Sequence, residues 1–542
     1  VVRQKQNDSA DYFLGGRDAT WLAIGASIFA SNIGSEHLIG LAGAGASSGM
    51  AMAHWEIQGW MILILGWVFV PFYTRSMVYT MPEFLERRYN PQSRTILSVI
   101  SLVSYVLTKV AVTVYAGGLV FQQVFGIKEL WGIDFFWIAA IGLVVLTALY
   151  TIFGGMKSVL YTSVLQTPIL LLGSLIILVL GFKELGGWDE MMRVCGAVTV
   201  NDYGDTMTNL IRSNDDANFP WLGALIGSAI IGFWYWCTDQ FIVQRVLSGK
   251  NEMEARRGTI FGAYLKLLPV FLFLIPGMIA FALHQKYIGA GGEGFLPMLA
   301  NGTANADAAF PTLVAKLLPA GVKGLVVCGI LAALMSSLAS LFNSSAMLFT
   351  IDFYKRFRPE TPEKKLVGIG QVATVVIVIL GILWIPIMRS VGDVLYTYLQ
   401  DVQSVLAPGI AAAFLLGICW KRTSAQGGMW GLIAGMVIGL TRLGAKVYYS
   451  NAGEVADSTF KYLFYDMNWL FFCGWMFLFC IIVVIVVSLA TKAPTAEKIQ
   501  GLVFGTATKE QKAATRASWN HWDIIHTVII LAITGAFYWY FW

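Results

Sequence analysis

About thirteen apolar stretches, each long enough to cross the hydrocarbon core of a bilayer, leave this chain few ways to fold. Inside lipid every backbone N–H and C=O has to find a partner within the protein, so spans of this kind are helices. They lie at roughly 21–49, 52–73, 95–125, 133–153, 159–183, 220–247, 258–284, 312–350, 366–388, 394–419, 427–448, 467–491 and 522–542. Composition agrees: 57% of the 542 residues are hydrophobic and only 13% charged, about half the charged share of a soluble domain, with a mean hydropathy of +0.67. The expected fold class is an all-α polytopic membrane protein with the lipid bilayer as its solvent.

Charge follows the loops. One alternate set carries Arg75, Arg87, Arg88 and Arg94, then Lys250, Arg256 and Arg257, then Lys355, Arg356, Arg358, Lys364 and Lys365, then Lys421 and Arg422. The positive-inside rule makes that set cytoplasmic, together with residues 1–20, and makes the long polar stretches 186–219 and 285–310 external. An odd number of spans puts the C-terminus outside, so 491–519 is a cytoplasmic linker to a last helix with Trp and Tyr at its outer end. The net charge of +5 is small and dispersed, which speaks for orientation in a membrane and for no nucleic-acid partner. Six cysteines show no disulfide or metal pattern: five sit in apolar segments, and Cys195 falls in a polar loop. No secretory signal is visible, and Val1-Val2-Arg3 reads as the cut end of a preceding helix.

The first span is written unlike the others. Residues 25–49, GASIFASNIGSEHLIGLAGAGASSG, carry Asn32, Ser35, Glu36 and His37 at mid-membrane depth, where lipid rejects them. If the helix opens near 32–35, the carbonyls of Ala30 and Ile33 lose their amide partners and become oxygen ligands, as in the discontinuous helices of secondary transporters. A continuous helix packed through its small residues is the alternative. In residues 329–345, GILAALMSSLASLFNSS, the spacing of Ala333, Ser336 and Ser337 places two hydroxyls and a carbonyl on one helical face. Neutral oxygens at that spacing suit a hard monovalent cation, whereas divalent ions recruit carboxylates and soft metals thiolate or imidazole. Serines in a membrane helix also serve packing alone, and the case for an ion rests on five oxygens converging.

A third group consists of side chains that are expensive to bury. Glu56 in AHWEIQGW, Lys266 in GAYLKLLPVF and Gln400 in YTYLQDVQ stand in apolar runs, and Trp234, Tyr235 and Trp236 are consecutive. A carboxylate, an ammonium and an amide bind vicinal hydroxyls, and an aromatic face suits the C–H side of a pyranose, so a sugar fits. The competing reading is a structural Glu56–Lys266 ion pair with interfacial aromatics. Gly45-Ala46-Ser47-Ser48-Gly49 matches a serine-nucleophile pattern but lacks the strand–turn–helix context it needs. Gly427, Gly431, Gly435 and Gly439 recur at one helical face for close packing. Asn301-Gly302-Thr303 is a weak glycan acceptor.

Residues 25–49, YTIFGG from Tyr150, WYWCTDQFIVQR, LMSSLASLFNSSAMLFTIDFYKRF and LLGICWKR together resemble the sodium-glucose cotransporters of the solute:sodium symporter family, over nearly the whole chain. The resemblance implies a leucine-transporter-type fold of five plus five helices with inverted topology (21–184 and 220–420, joined by 185–219) and extra C-terminal helices in 421–542. It also implies one further helix ahead of Val1. The function implied is sodium-coupled import of a monosaccharide, glucose or galactose, by alternating access, or of another polyol or small solute by the same machine, with a passive channel as the remaining alternative. That makes the protein a symporter and not an enzyme, in a plasma membrane, expected to be a bacterial inner one.

By matching motif positions, the sodium ligands are Ala30, Ile33, Ala333, Ser336 and Ser337. The sugar site is Asn32, His37, Glu56, Tyr235, Trp236, Lys266 and Gln400. Leu41, Trp55 and Tyr396 fall at the outer gate, and Tyr235 at the inner one. Gly59 and Gly232 stand where some relatives present polar side chains to the sugar. Ser163 replaces a usual aspartate and Ala339 an extra hydroxyl, so one sodium ion per solute is expected, although Ser163 and Ser340 still offer neutral oxygens.

Overall fold

The computed structural model describes residues 9–34, 36–299, 302–389, 395–451 and 456–542. Among these, 12 helices are long and apolar enough to cross a membrane, with Trp21–Asn32 as a shorter apolar helix. In chain order we label them α1 (Trp21–Asn32), α2 (Glu36–Ser76), α3 (Pro91–Gln122), α4 (Phe135–Ile152), α5 (Gly155–Leu185), α6 (Trp221–Thr238), α7 (Gln240–Leu247), α8 (Glu252–Gly289), α9 (Ala320–Phe357), α10 (Glu363–Leu383), α11 (Leu399–Cys419), α12 (Ala425–Ser450), α13 (Trp469–Ala490) and α14 (His521–Tyr540). The apolar segments expected from sequence are all here. The first of them is divided between α1 and the start of α2, which breaks again at Gly49 (φ 68°) and continues as the second span. A short hairpin, Glu129–Leu130 against Ile133–Asp134, is the one pair of strands among the described residues.

Three interruptions shape the interior. The helix begun at Trp21 stops at Asn32, Ile33 is extended (φ −81°, ψ 102°), and helical structure resumes at Glu36. The run from Phe135 to Leu185 breaks at Gly155, whose φ of 55° and ψ of −158° are accessible to glycine at little cost, and this separates α4 from α5. The third is Asp239, extended between α6 and α7 (φ −75°, ψ 128°), whose carboxylate caps α7 by accepting from Phe241 N–H at 3.2 Å. The breaks at Ile33 and Asp239 fall in the first and sixth spans, corresponding places in two five-helix halves.

Packing follows the small residues. Gly435 of α12 leaves no room for a side chain against Gly409 of α11, where an added Cβ would lie 2.6 Å from its Cα, and Gly427 does the same against Ser488 of α13. The glycine stripe is therefore the seam of α11, α12 and α13, as its spacing requires. The stretch between α13 and α14 is docked at the end that carries the basic loops. There Arg75 donates to Thr515 Oγ1 at 2.6 Å, Lys498 to the Glu86 carbonyl at 2.7 Å, and Phe504 N–H to the Ile418 carbonyl at 2.9 Å. Cys195 proves to be in a helix, Trp188–Gly196, and fully buried, so the polar-loop placement expected for it does not hold. All six cysteines are free. Asn301 lies outside the described residues.

Candidate functional site

The break after Asn32 creates the site. Gly34 O accepts from both His37 N–H and Leu38 N–H at 3.2 Å and so starts the next helical segment, while among the described residues no N–H closes a turn onto the carbonyl of Ala30. This opened turn lies against α9: a Cβ on Gly34 would sit 2.8 Å from Ser337 Oγ, so glycine is what lets backbone oxygens approach the serine pair. Ala30, Ile33, Ala333, Ser336 and Ser337 are all at most 4% exposed. Around them hydroxyls tie three helices together. Ser163 of α5 is 3.3 Å from Ser336 Oγ, Ser31 of α1 is 2.7 Å from Ser340 Oγ, and Thr167 Oγ1 donates to the Ala26 carbonyl at 3.3 Å. The sequence-expected oxygens, all neutral, are thus on two elements in direct contact, with the Glu36 carboxylate beside them, 2.9 Å from the same point at Gly34. That chemistry fits a monovalent hard cation.

Beside it lies a cavity of about 40 Å³. All seven residues expected at the sugar site line it: Asn32, His37, Glu56, Tyr235, Trp236, Lys266 and Gln400. Five of them form one network. Lys266 Nζ donates to Glu56 Oε2 at 2.6 Å, His37 Nε2 lies 3.1 Å from the same oxygen and 3.3 Å from Asn32 Nδ2, and Tyr235 OH donates to Asn32 Oδ1 at 3.1 Å. Glu56 and Lys266 are 1% and 3% exposed, so each charge has lost its water and depends on the other. Removing one partner from such a pair costs about 3–5 kcal/mol. Gln400 Oε1 and Trp55 Nε1 are buried and have no hydrogen-bond partner among the described residues, which leaves an acceptor and a donor at the cavity wall for hydroxyl groups to meet. Trp236 packs edge-on to Tyr235 at 4.9 Å and carries Lys266 Nζ 5.3 Å from its ring centre, so aromatic rings adjoin the polar groups in the lining.

Trp55 stacks on Trp469 of α13 at 5.4 Å between ring centres, with Phe219 at its edge. Tyr235 is 9% exposed. Leu41 is buried but does not line the cavity, and the side chain of Tyr396 lies outside the described residues. Gly59 differs from its expected placement: it faces the Ala263 carbonyl and Leu267 of α8 and Ile530 of α14. The turn at Ile57 and Gln58 is loosened (ψ 18° and 26°), and Gln58 lines the cavity. Gly232 does line the cavity, and its missing side chain makes room for Gln58 Oε1. Glu36 and Gln403 also line it and were not assigned from sequence.

The model of the Sodium:solute symporter family matches residues 12–435. The human sodium/myo-inositol cotransporter 2 is 36% identical over 93% of this chain and 76% of its own, and the dog sodium/myo-inositol cotransporter 37% identical over 93% and 72%. Among solved structures, a substrate-bound, outward-open Na⁺-coupled sialic acid symporter superposes with a TM-score of 0.71 at 22% identity, covering 91% of this chain and 94% of that one. The fold is accordingly of the leucine-transporter type, with additional C-terminal helices. The relatives named are mammalian and lend nothing to the expectation of a bacterial inner membrane; what stands is a multi-pass membrane protein. With sodium as its coupling ion, the chain belongs to the sodium:solute symporter family.

Proposed function

We propose that this protein imports a cyclic polyol of the inositol type together with sodium, with glucose and galactose as the weaker cargo. The observation that carries the reading is the cavity lined by the Glu56–Lys266 pair, the open valences of Gln400 Oε1 and Trp55 Nε1, and aromatic rings. A ring bearing a hydroxyl on every carbon meets donors and acceptors all round, whereas a pyranose presents a ring oxygen and a hydroxymethyl arm. The relatives' cargo, myo-inositol, favours the polyol over the monosaccharide.

In this mechanism Asn32, His37, Glu56, Tyr235, Trp236, Lys266 and Gln400 hold the solute, and Ala30, Ile33, Ala333, Ser336 and Ser337 hold sodium. The basic loops and residues 1–20 face the cytoplasm. Leu41, Trp55 and Tyr396 close the outer path, joined by Trp469, and Tyr235 closes the inner one. Sodium held between the opened turn and α9 fixes the segment that carries Asn32 and His37 into the solute site. Ion and solute therefore raise each other's affinity by the same factor. Alternating access follows from opening one closure at a time.

The test is uptake into proteoliposomes under a sodium gradient, with myo-inositol, glucose and galactose offered singly and in competition. Uphill, sodium-dependent accumulation with myo-inositol preferred is the expected result. Solute equilibrating without accumulation, or a preference for either hexose, overturns the reading.

A further inference from the structure

Beneath Tyr235 lies a second buried ion pair that the solute site does not use. Lys109 Nζ of α3 donates to Asp239 Oδ2 at 2.6 Å, with the two side chains 4% and 1% exposed. The ammonium also faces aromatic rings, 3.9 Å from the centre of Phe241 and 4.6 Å from that of Tyr235. Asp239 is the break between α6 and α7, and its other carboxylate oxygen accepts from Phe241 N–H and from Tyr105 OH. Lys109 lies in a widened helical turn, Tyr105–Val110 in α3, and Asp239 directly follows another, Phe233–Thr238 in α6, an irregularity that recurs at functional positions.

We propose that the Lys109–Asp239 pair is the latch of the inner gate, and that Lys109 positions Tyr235 through its ring; this rests on the transport reading above. Asp239 fixes the hinge of the discontinuous helix to α3. The ammonium held by Asp239 attracts the negative face of the Tyr235 ring, and the Tyr235 hydroxyl reaches Asn32 at the break of α1. One chain of contacts thus runs from the ion-binding break, through the gate ring, to the hinge. Swinging Tyr235 away to release solute requires lifting the ring off a desolvated cation. A contact of that kind shifts an open–closed equilibrium by roughly tenfold or more. A pair that served packing alone would not need its cation under the gate ring.

The test uses Cys237, two residues from Tyr235 and fully buried. In a background with the other five cysteines changed to serine, its labelling by a cytoplasmic-side thiol reagent reads the gate directly. Lys109→Met with Asp239→Asn removes both charges and keeps the packing and the cap. The expected result is labelling about tenfold faster than wild type and a sodium leak in the absence of solute. Added to Tyr235→Leu, the same pair of substitutions is expected to produce no further increase, because the ring through which the cation acts is gone. Wild-type labelling and no leak overturn the proposal, as does an effect that adds in full to Tyr235→Leu. Should the double variant not fold, Asp239→Asn alone, which keeps the cap and weakens only the hold on Lys109, carries the same comparison. Neither readout needs the solute, so a failed uptake panel refutes the cargo assignment and leaves the latch to be judged by its own experiment.

Discussion

Replacing Gln400 by leucine separates binding from folding. Gln400 Oε1 is buried with no hydrogen-bond partner among the described residues, on a side chain only 6% exposed. A buried polar atom left in that state costs about 1–3 kcal/mol, a cost that a solute hydroxyl removes on binding. Gln400→Leu keeps the approximate length and takes away the unsatisfied atom. It is expected to leave the thermal stability of the solute-free protein unchanged or raised, while weakening solute binding by about 1–3 kcal/mol, roughly tenfold to a hundredfold. Glu56→Gln is the contrasting case. It strips Lys266 and His37 of their shared carboxylate, leaves a buried ammonium unpaired, and lowers stability and binding together, by about 3–5 kcal/mol for the broken pair. The assay is direct titration of purified protein in lipid nanodiscs with the solute, alongside thermal unfolding with and without it. Wild-type affinity in Gln400→Leu, or a loss of solute-free stability equal to that of Glu56→Gln, refutes the assignment of Gln400 as an acceptor waiting for solute.

Ser336→Ala and Ser337→Ala each remove one neutral ligand and leave the carbonyls, so the half-saturating sodium concentration for uptake is expected to rise while insertion is unaffected; an unchanged value in both sinks the ion site. Ser163 sits 3.3 Å from Ser336 Oγ with no carboxylate in its place, so a second cation there would lack a fixed negative partner. One charge per solute is expected from reversal potentials in proteoliposomes; a ratio near two contradicts this, and Ser163→Asp alone is expected to raise the ratio above one. Burial pushes the Cys195 thiol up to about 12, so at neutral pH it stays protonated and resists charged thiol reagents applied from outside. Because the folded value lies above the unfolded one of 9.0, its stabilising contribution is present below pH 9 and is lost as pH rises from there toward 12. Rapid labelling of Cys195 at neutral pH would show the buried helix Trp188–Gly196 to be misplaced.

Lipid is a demanding solvent, and that is why so much was legible in the residues alone. Spans, helical class and the opened first helix follow from what a hydrocarbon core excludes: Asn32, Glu36 and His37 in mid-span have no bland explanation once backbone and charge must be satisfied internally. The same reasoning singled out Glu56, Lys266 and Gln400, and the structure brings all three to one cavity wall. Lys109 gave that signal too, an ammonium within SYVLTKVAVTV, but its partner Asp239 lies 130 residues away and nothing local pairs them. Facing is decided by phase, and phase is lost wherever a helix loosens. Gly59 does not line the cavity and Gln58 does, beside the opened turn at Ile57, which has no sequence signature of its own. Trp469 stacks on Trp55 across 414 positions, so only packing could reveal it as part of the closure. The sequence by itself determined which residues the membrane could not leave idle; the tertiary structure decided which of them meet, since long-range contacts depend on how helices cross and not on the spacing of residues along any one of them.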